Sequence, residues 1–251
     1  MKVFENFAFE PKRLGFIIVG LILVFIAFKS IRNSRMEALA RAAMDKKPDP
    51  AIVQKLASYR GVQASEMLLL IAGAAPTQEN RLAAIKTLVS RKDAPFVSRL
   101  SELLLPPESL AIRKAVANAL YEGGCSLECV KNVLYFQESM YHGARPSEDV
   151  QADPPKVMSE QEKELQSALD EVLKRNKAGV GLVLAKVYGL ASDFPSPFAV
   201  ETVERLHLQE ACPLLTHTYL SVNDQVHASP EYKKVAEAVN ALQCPGPRRV
   251  P

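Results

Sequence analysis

The 251-residue sequence lacks the motifs that mark several common enzyme classes. It has no glycine-rich phosphate loop ending in Lys-Ser/Thr, no His-Glu-x-x-His and no Gly-x-Ser-x-Gly. These motifs bind nucleotide phosphates, hold catalytic zinc and position a nucleophilic serine. Gly179-Val-Gly181 lacks the third glycine of a dinucleotide-binding loop, and no strand pattern precedes it. We therefore expect a non-catalytic protein without a cofactor or a small-molecule substrate.

The histidines do not form a metal-binding pattern. His207, His217 and His227 are ten residues apart, and Cys212 lies midway between the first two. On a helix His217 would point about 80° away from His207, and Cys212 about 140° away from each. Because the ligands of one ion must share a face, we expect no metal site.

The folded body lacks an excess of positive charge. The chain has a formal net charge of +3. Residues 1–47 contain nine Lys/Arg and four Asp/Glu, so the remaining 204 residues sum to −2. A nucleic-acid-binding protein needs its cations clustered on the folded body, and we therefore expect no nucleic-acid partner.

One long apolar run stands out from this polar background. Residues 14–28 contain no charged side chain, Lys12-Arg13 precedes them and Lys29 follows. As a helix the run is roughly 22 Å long, and the flanking cationic side chains can bridge much of the remaining distance across a hydrocarbon layer of about 30 Å. A cleaved signal peptide is one alternative, but charged rather than small residues follow the run. A buried core helix, the other alternative, would have a polar edge. We expect a permanent anchor that contacts lipid through residues 14–28 and the basic flank.

The orientation of this anchor is less strongly indicated. Residues 1–13 carry three Lys/Arg and residues 29–47 carry six, and the side richer in cations tends to stay in the cytoplasm. We therefore expect a single-pass protein of the cell membrane with a cytoplasmic body. The opposite orientation stays open, because Lys12-Arg13 suits it and the even number of cysteines suits an oxidising compartment.

The rest of the chain has the 3.6-residue period of amphipathic helices and almost no strand-like alternation. The clearest apolar stripes are Phe96, Val97, Leu100, Leu103 and Leu104; Ile112, Val116, Ala119 and Leu120; Leu165, Leu169, Val172 and Leu173; and Tyr232, Val235, Ala236 and Val239. Ser159-Glu-Gln-Glu162 predicts a capping box at a helix start. We predict an all-α protein of about eleven helices after the anchor.

Proline-rich segments suggest the domain boundaries. Pro48-Asp49-Pro50 ends the basic helix that follows the anchor, and Pro146, Pro154 and Pro155 lie in a stretch without an apolar stripe. The predicted segments are a tail at 1–13, the anchor at 14–28, a basic helix and linker at 29–50, helical repeats at 51–142, a linker or loop at 143–158, further helical repeats at 159–243 and a Pro/Arg tail at 244–251.

Two stretches of the chain resemble each other at an offset of 32 residues. In residues 79–88 and 111–120 the Arg, Ala and Leu positions coincide, and a second apolar helix follows each copy. A period near 30 with paired helices is typical of solenoids, in which each unit buries its apolar face against a neighbour. An irregular helical bundle is the alternative.

The Arg-x-Ala-Ala/Val-x-x-x-Leu pattern resembles the HEAT-like repeats of the bilin-lyase type, which occur in many bacterial solenoid proteins. Asp93 fits the pattern, whereas the second turn has Gly123-Gly124 and Cys125 where a polar residue is usual. The resemblance covers about a quarter of the chain. It implies an α-solenoid of stacked antiparallel helix pairs with a concave protein-binding surface.

Four residues are the candidates for contact with a protein partner. The resemblance implies that the helices carrying Arg81 and Arg113 line the concave side, where Lys86 and Asn118 occupy equivalent polar positions. Other roles are open for all four: the arginines can instead bridge neighbouring repeats by hydrogen bonds, and the other two can be solvated surface positions.

Cys125 and Cys129 bracket a helix start, where backbone amides can lower a thiol pKa. They can form a disulfide or a redox pair, or simply be buried, and a Cys212–Cys244 disulfide is also open. Our leading interpretation is a membrane-anchored scaffold that binds an unidentified protein partner at the membrane surface. The alternatives are a bilin-lyase-like enzyme or enzyme subunit, and a thiol-based redox sensor using Cys125 and Cys129.

Overall fold

The structure is a computed structural model that describes residues 29–105, 108–143, 158–190, 196–221 and 230–244. All secondary structure in these ranges is helical, with twelve α-helices, two 3₁₀ segments and no β-strand. The predicted all-α class is therefore confirmed.

The predicted anchor at residues 14–28 lies outside the described residues. Within them, no helix combines the length and the hydropathy that crossing a bilayer requires. The central part of the predicted linker at 143–158 also lies outside them, so the domain boundary there stays a prediction.

The helices follow one another through short connections. In chain order they are α1 (29–43), α2 (Pro50–Leu56), α3 (Val62–Ala74), α4 (Gln78–Ser90), α5 (Ala94–Arg99), α6 (Leu110–Gly123), α7 (Leu127–Gly143), α8 (Glu160–Lys174), α9 (Lys177–Val187), α10 (Pro197–Arg205), α11 (Cys212–Ser221) and α12 (Pro230–Ala241). The 3₁₀ segments Leu100–Leu104 and Gln209–Ala211 extend α5 and precede α11.

Alternate helices form two rows over much of the molecule. The even-numbered helices α2, α4, α6 and α8 pack against one another in succession. In the other row α3 packs against α5, and α7 packs against both the 3₁₀ segment Leu100–Leu104 and α9. Helices adjacent in sequence pack across the rows, as in α3 with α4 and α5 with α6. This arrangement is compatible with a helical repeat.

The core consists largely of the predicted apolar stripes. On α6 and α8 every predicted stripe residue is buried: Ile112, Val116, Ala119 and Leu120, and Leu165, Leu169, Val172 and Leu173. In the α5 stripe, Val97, Leu100 and Leu104 are fully buried, while Phe96 and Leu103 pack at the edge of the core. Each such aliphatic side chain contributes about 1.5–3 kcal/mol when fully removed from water.

The predicted capping box at the start of α8 is confirmed. The Glu162 amide donates to Ser159 Oγ over 3.3 Å, and the Ser159 amide donates to Glu162 Oε2 over 2.8 Å. These two bonds satisfy backbone donors that a helix start otherwise leaves free.

The turns of the two copies each contain a residue with positive φ at the equivalent position. Lys92 and Gly124 are 32 residues apart, and both have positive φ, +55° and +91°. Gly123 allows a close helix contact as well, because a Cβ there would lie 2.6 Å from Val97 Cγ1. The Gly-Gly of the second turn, absent from the first, therefore has a packing reason.

Long polar side chains of α4 and of the turn after it tie this helix to the elements that precede it. Arg91 donates to the backbone carbonyls of Tyr59 at 2.5 Å and Gly61 at 3.2 Å. Asn80 is fully buried; its amide donates to the Ala43 carbonyl and accepts from the Asp49 amide, both at 2.9 Å. Because these bonds span about 30 residues of chain, they set how one pair stacks on the next.

The C-terminal helices are joined in another way. Cys212, at the start of α11, forms a disulfide with Cys244, which follows α12, with a Cα–Cα distance of 5.3 Å. Asp170 of α8 accepts from Gln137 of α7 and pairs with Arg205 of α10. This group of three side chains links the helices on either side of the predicted linker.

Candidate partner-binding site

Equivalent faces of α4 and α6 form an open groove. The two helices pack side by side in one row, and the groove between them has a volume of about 400 Å³. It is lined by Leu82, Ile85, Lys86, Val89 and Ser90 of α4 and by Ala115, Asn118, Ala119 and Glu122 of α6. We call this feature the α4–α6 groove.

The floor of the α4–α6 groove is apolar and its rim is polar. Ile85 and Ala119 are buried, and the small alanines of α6 leave room opposite the larger aliphatic side chains of α4. Lys86 and Asn118 are exposed on the rim, and Lys86 has no ion pair within the described part of the chain. An apolar floor with a few polar rim groups suits an amphipathic segment of another protein.

Two of the four predicted contact residues, Lys86 and Asn118, thus come together in one groove. The two residues occupy equivalent positions of copies that are offset by 32 residues, so both lie on the same face of the row formed by the even-numbered helices. Whether a partner binds them stays a prediction.

Arg81 lies outside the groove and bridges neighbouring helix pairs. Its Nε donates to the Ala72 carbonyl over 2.7 Å, and its Nη2 lies 2.6 Å from Glu108 Oε2. The side chains of Arg81 and Glu108 are only 16% and 13% exposed. This is the bridging role that the sequence left open as the alternative for the arginines.

Arg113, the equivalent arginine, also packs inward. Its guanidinium lies over the ring of Phe136 on α7, 5.0 Å from the centroid. Burial lowers the pKa of Arg113, while the carboxylates of Glu108 and Glu162 oppose that shift. Glu108 therefore lies close to both repeat arginines, and it joins the two copies electrostatically.

Sequence reasoning missed Arg91, although it makes the largest set of long-range polar contacts in the repeats. Besides its bonds to the carbonyls of Ala57, Tyr59 and Gly61, it contacts Ser65 Oγ at 3.3 Å and Asp93 at 3.9 Å, and the Ser65 hydroxyl donates to Asp93. Asp93 fits the repeat pattern. Its contacts with Ser65 and Arg91 fix the turn, which explains why an aspartate occupies this position. Arg91 has no Arg at the equivalent position of the second copy, so the repeat alignment did not point to it.

The structure pairs all four cysteines of the chain. Cys125 bonds to Cys129 across the first turn of α7, with a Cα–Cα distance of 5.3 Å. Cys129 is buried and its amide donates to Ser126 Oγ, whereas Cys125 is partly exposed. With Cys212–Cys244, none of the four thiols is free.

Across the described residues, no group of three or more His, Cys, Asp or Glu side chains could hold a metal ion. His207 and His217 lie in separate elements, after α10 and within α11, and His227 is outside the described ranges. In comparisons with known proteins, no family model, curated protein or solved structure matches this chain.

Proposed function

We propose that this chain is a membrane-anchored α-solenoid that holds a protein partner at the membrane surface, with the partner bound in the α4–α6 groove. The groove itself is the observation that carries the proposal: it is open to solvent, its floor is apolar, and it lies between two equivalent helices. The apolar run at residues 14–28 supports the anchor. Anchoring raises the effective concentration of any partner confined to the same membrane.

The groove favours one kind of partner segment, an amphipathic helix. Such a helix would place apolar side chains against Leu82, Val89 and Ala115, and a carboxylate beside Lys86. Asn118 can donate and accept hydrogen bonds with the polar edge of the same helix.

Site-specific photocrosslinking tests this proposal. A photoreactive amino acid at Lys86 or Asn118 of the full chain, in its native membrane, should give the same discrete protein adduct. Placed at Lys131, which is exposed on α7, it should not. Filling the groove with Ala115→Leu should abolish the adduct, while Ala111→Leu on the exposed side of α6 should retain it. If the adduct still formed in the Ala115→Leu variant, this result would contradict the groove as the binding site.

We further propose that the folded body lies on the oxidising side of the membrane. Both disulfides support this orientation, because structural disulfides persist in oxidising compartments and are rare in the cytosol. The sequence left this orientation open, although the larger number of Lys and Arg in residues 29–47 favours a cytoplasmic body. Alkaline phosphatase fused after Pro251 would be active in this orientation, whereas a cytoplasmic body would leave it inactive.

A redox function of Cys125 and Cys129 is the second candidate, because these two sulfurs are bonded and Cys125 is partly exposed. An attacking thiolate could reach Cys125 and release the buried Cys129 thiolate at the start of α7, where helix amides stabilise it. The same pairing gives no support to a bilin-lyase-like enzyme, since a nucleophilic cysteine must be free. A reversible shift in mobility after mild reduction, lost in Cys125→Ser, would support the redox candidate.

A further inference from the structure

The first two helices of the body differ sharply in charge from the rest. Residues 29–60 contain eight Lys/Arg and three Asp/Glu, a net charge of +5. Residues 61–251 contain twenty Lys/Arg and twenty-three Asp/Glu, a net charge of −3. One end of the helical stack is therefore cationic, and it is the end next to the predicted anchor.

A second groove lies within this cationic end. It has a volume of about 510 Å³ and is lined by Arg35, Ala38 and Leu39 of α1 and by Lys55, Ser58 and Tyr59 at the end of α2. We call it the α1–α2 groove. It presents two cations beside an apolar wall formed by alanine, leucine and tyrosine.

The two cations have no competing partner within the described residues. The nearby Arg41 pairs with Glu37 at 3.7 Å, but neither Arg35 nor Lys55 forms an ion pair with a described carboxylate. At the end of α2 the carbonyls of Gln54, Lys55 and Leu56 accept from backbone amides of the following residues, so they do not need the Lys55 ammonium as a cap. Both charges are thus available to an anionic ligand.

The distance from the anchor indicates which ligand. Arg35 follows residue 28, the end of the predicted anchor, by seven residues, a rise of about 10 Å on a helix. That rise places the backbone of Arg35 at the outer edge of the headgroup layer, which adds roughly 5–7 Å on each side of the hydrocarbon core, and the long arginine side chain can reach back to a lipid phosphate. This step rests on the anchor in the proposed function, though not on the partner or on the α4–α6 groove.

We propose that the α1–α2 groove binds the headgroup of an anionic phospholipid. Arg35 and Lys55 contact the phosphate from the two helices. Ala38 and Leu39, which lie farther from the predicted anchor than Arg35, pack together with Tyr59 against the outer part of the headgroup. A cation near an anionic lipid surface strengthens binding about five-fold, so the two together should contribute about 25-fold. Lipid held here would fix the tilt of α1, and with it the direction in which the α4–α6 groove faces.

Because the chain contains no tryptophan, Tyr59→Trp places a single fluorophore in the α1–α2 groove. The full-length variant in detergent micelles is titrated with phosphatidylglycerol or phosphatidylcholine, and the change in tryptophan emission reports occupancy of the groove. Phosphatidylglycerol should change the emission at a lipid fraction at least ten-fold lower than phosphatidylcholine. Adding Arg35→Glu and Lys55→Glu should remove this preference.

The matched control, Arg41→Glu with Arg60→Glu, makes the same charge change on exposed positions of the same segment, and it should keep most of the preference. Equal loss in the two double variants would overturn a defined site in favour of general surface attraction. Displacement by millimolar inorganic phosphate would identify a site for the free ion instead of the lipid. Unchanged helicity by circular dichroism confirms that each variant is folded, and photocrosslinking at Lys86 reports separately on the partner-binding proposal.

Discussion

The N-terminal repeats and the C-terminal helices hold together by different means. Around α4, the long side chains of Arg91, Arg81 and Asn80 reach back to the backbone of earlier elements. From α10 to α12, the Cys212–Cys244 disulfide closes the chain end onto α11. The repeats are joined by polar contacts between neighbours, whereas the C-terminal helices add a covalent bond of long sequence separation to polar contacts such as the Lys234–Glu201 ion pair between α12 and α10.

This difference follows from the position of each region in the stack. A helix pair with neighbours on both sides gains stability from each interface. Within the described residues α11 and α12 pack mainly on each other, on α10 and on the 3₁₀ segment Gln209–Ala211, and regions with few neighbours open most easily. A disulfide that restricts the unfolded chain adds stability to such a region.

Breaking the terminal disulfide should have the largest effect. Cys212→Ser with Cys244→Ser removes a bridge across a sequence separation of 32, and we expect a loss of about 3.5 kcal/mol in the free energy of unfolding under oxidising conditions. Removing the Cys125–Cys129 bridge, which spans only four residues, should lose about 2 kcal/mol. Urea unfolding of the two double variants measures both. Equal losses would contradict a special role for the terminal disulfide.

Breaking the main polar bridge of the repeats should have the next largest effect. Arg91→Leu leaves the carbonyls of Tyr59 and Gly61 without their donor and separates Ser65 and Asp93 from a cation. We expect a loss of about 2–3 kcal/mol, since partly buried acceptors become unsatisfied. Hydrogen exchange should show faster opening of α2 and α3 than of α10 to α12. The matched control is Arg99→Leu, because Arg99 is an exposed cation on α5. Lys92→Leu is not suitable, although Lys92 is closer and exposed, because Lys92 has positive φ.

A pH measurement tests the packing of Tyr188, which lies at the end of α9 between the two regions. Its ring packs at a tilt of 55° against Phe198 of α10, 5.3 Å between ring centroids. Burial, followed by the nearby Glu138 carboxylate, raises the pKa of Tyr188 above its ordinary value of 10.0. The folded state then keeps a proton that the unfolded state loses, so stability should fall as the pH rises above about 10, by up to about 1.4 kcal/mol per pH unit. Tyr188→Phe should reduce this slope in alkaline urea titrations; an unchanged slope would contradict the shift.

The smallest expected effect sharpens the comparison between the two repeat turns. Lys92→Gly gives the first turn the residue type that the second has at the equivalent position, Gly124. Because glycine adopts positive φ without the steric penalty of a side chain, we expect the variant to be about 0.5–1 kcal/mol more stable. Thermal unfolding compared with Lys86→Gly, inside α4, provides the test, since glycine there should destabilise.

Local sequence patterns were sufficient for the helices themselves. The apolar stripes of α6 and α8 and the capping box at Ser159 depend on residues three or four positions apart. The offset of 32 between the copies also brought Lys86 and Asn118 into one groove, because equivalent positions of stacked units share a face. The anchor, the partner and the orientation stay predictions.

Contacts between residues far apart in the sequence depended on the stacking of the helices. The register in which one helix packs on another decides three features. It decides whether Arg81 faces a partner or bridges two helix pairs, and which cysteines form disulfides. It also decides whether Arg35 and Lys55 line one groove. That register arises from the burial of many side chains at once. No short stretch of the chain determines this register. The sequence around a charged residue does not show whether its side chain lies in solvent or contacts a neighbouring helix.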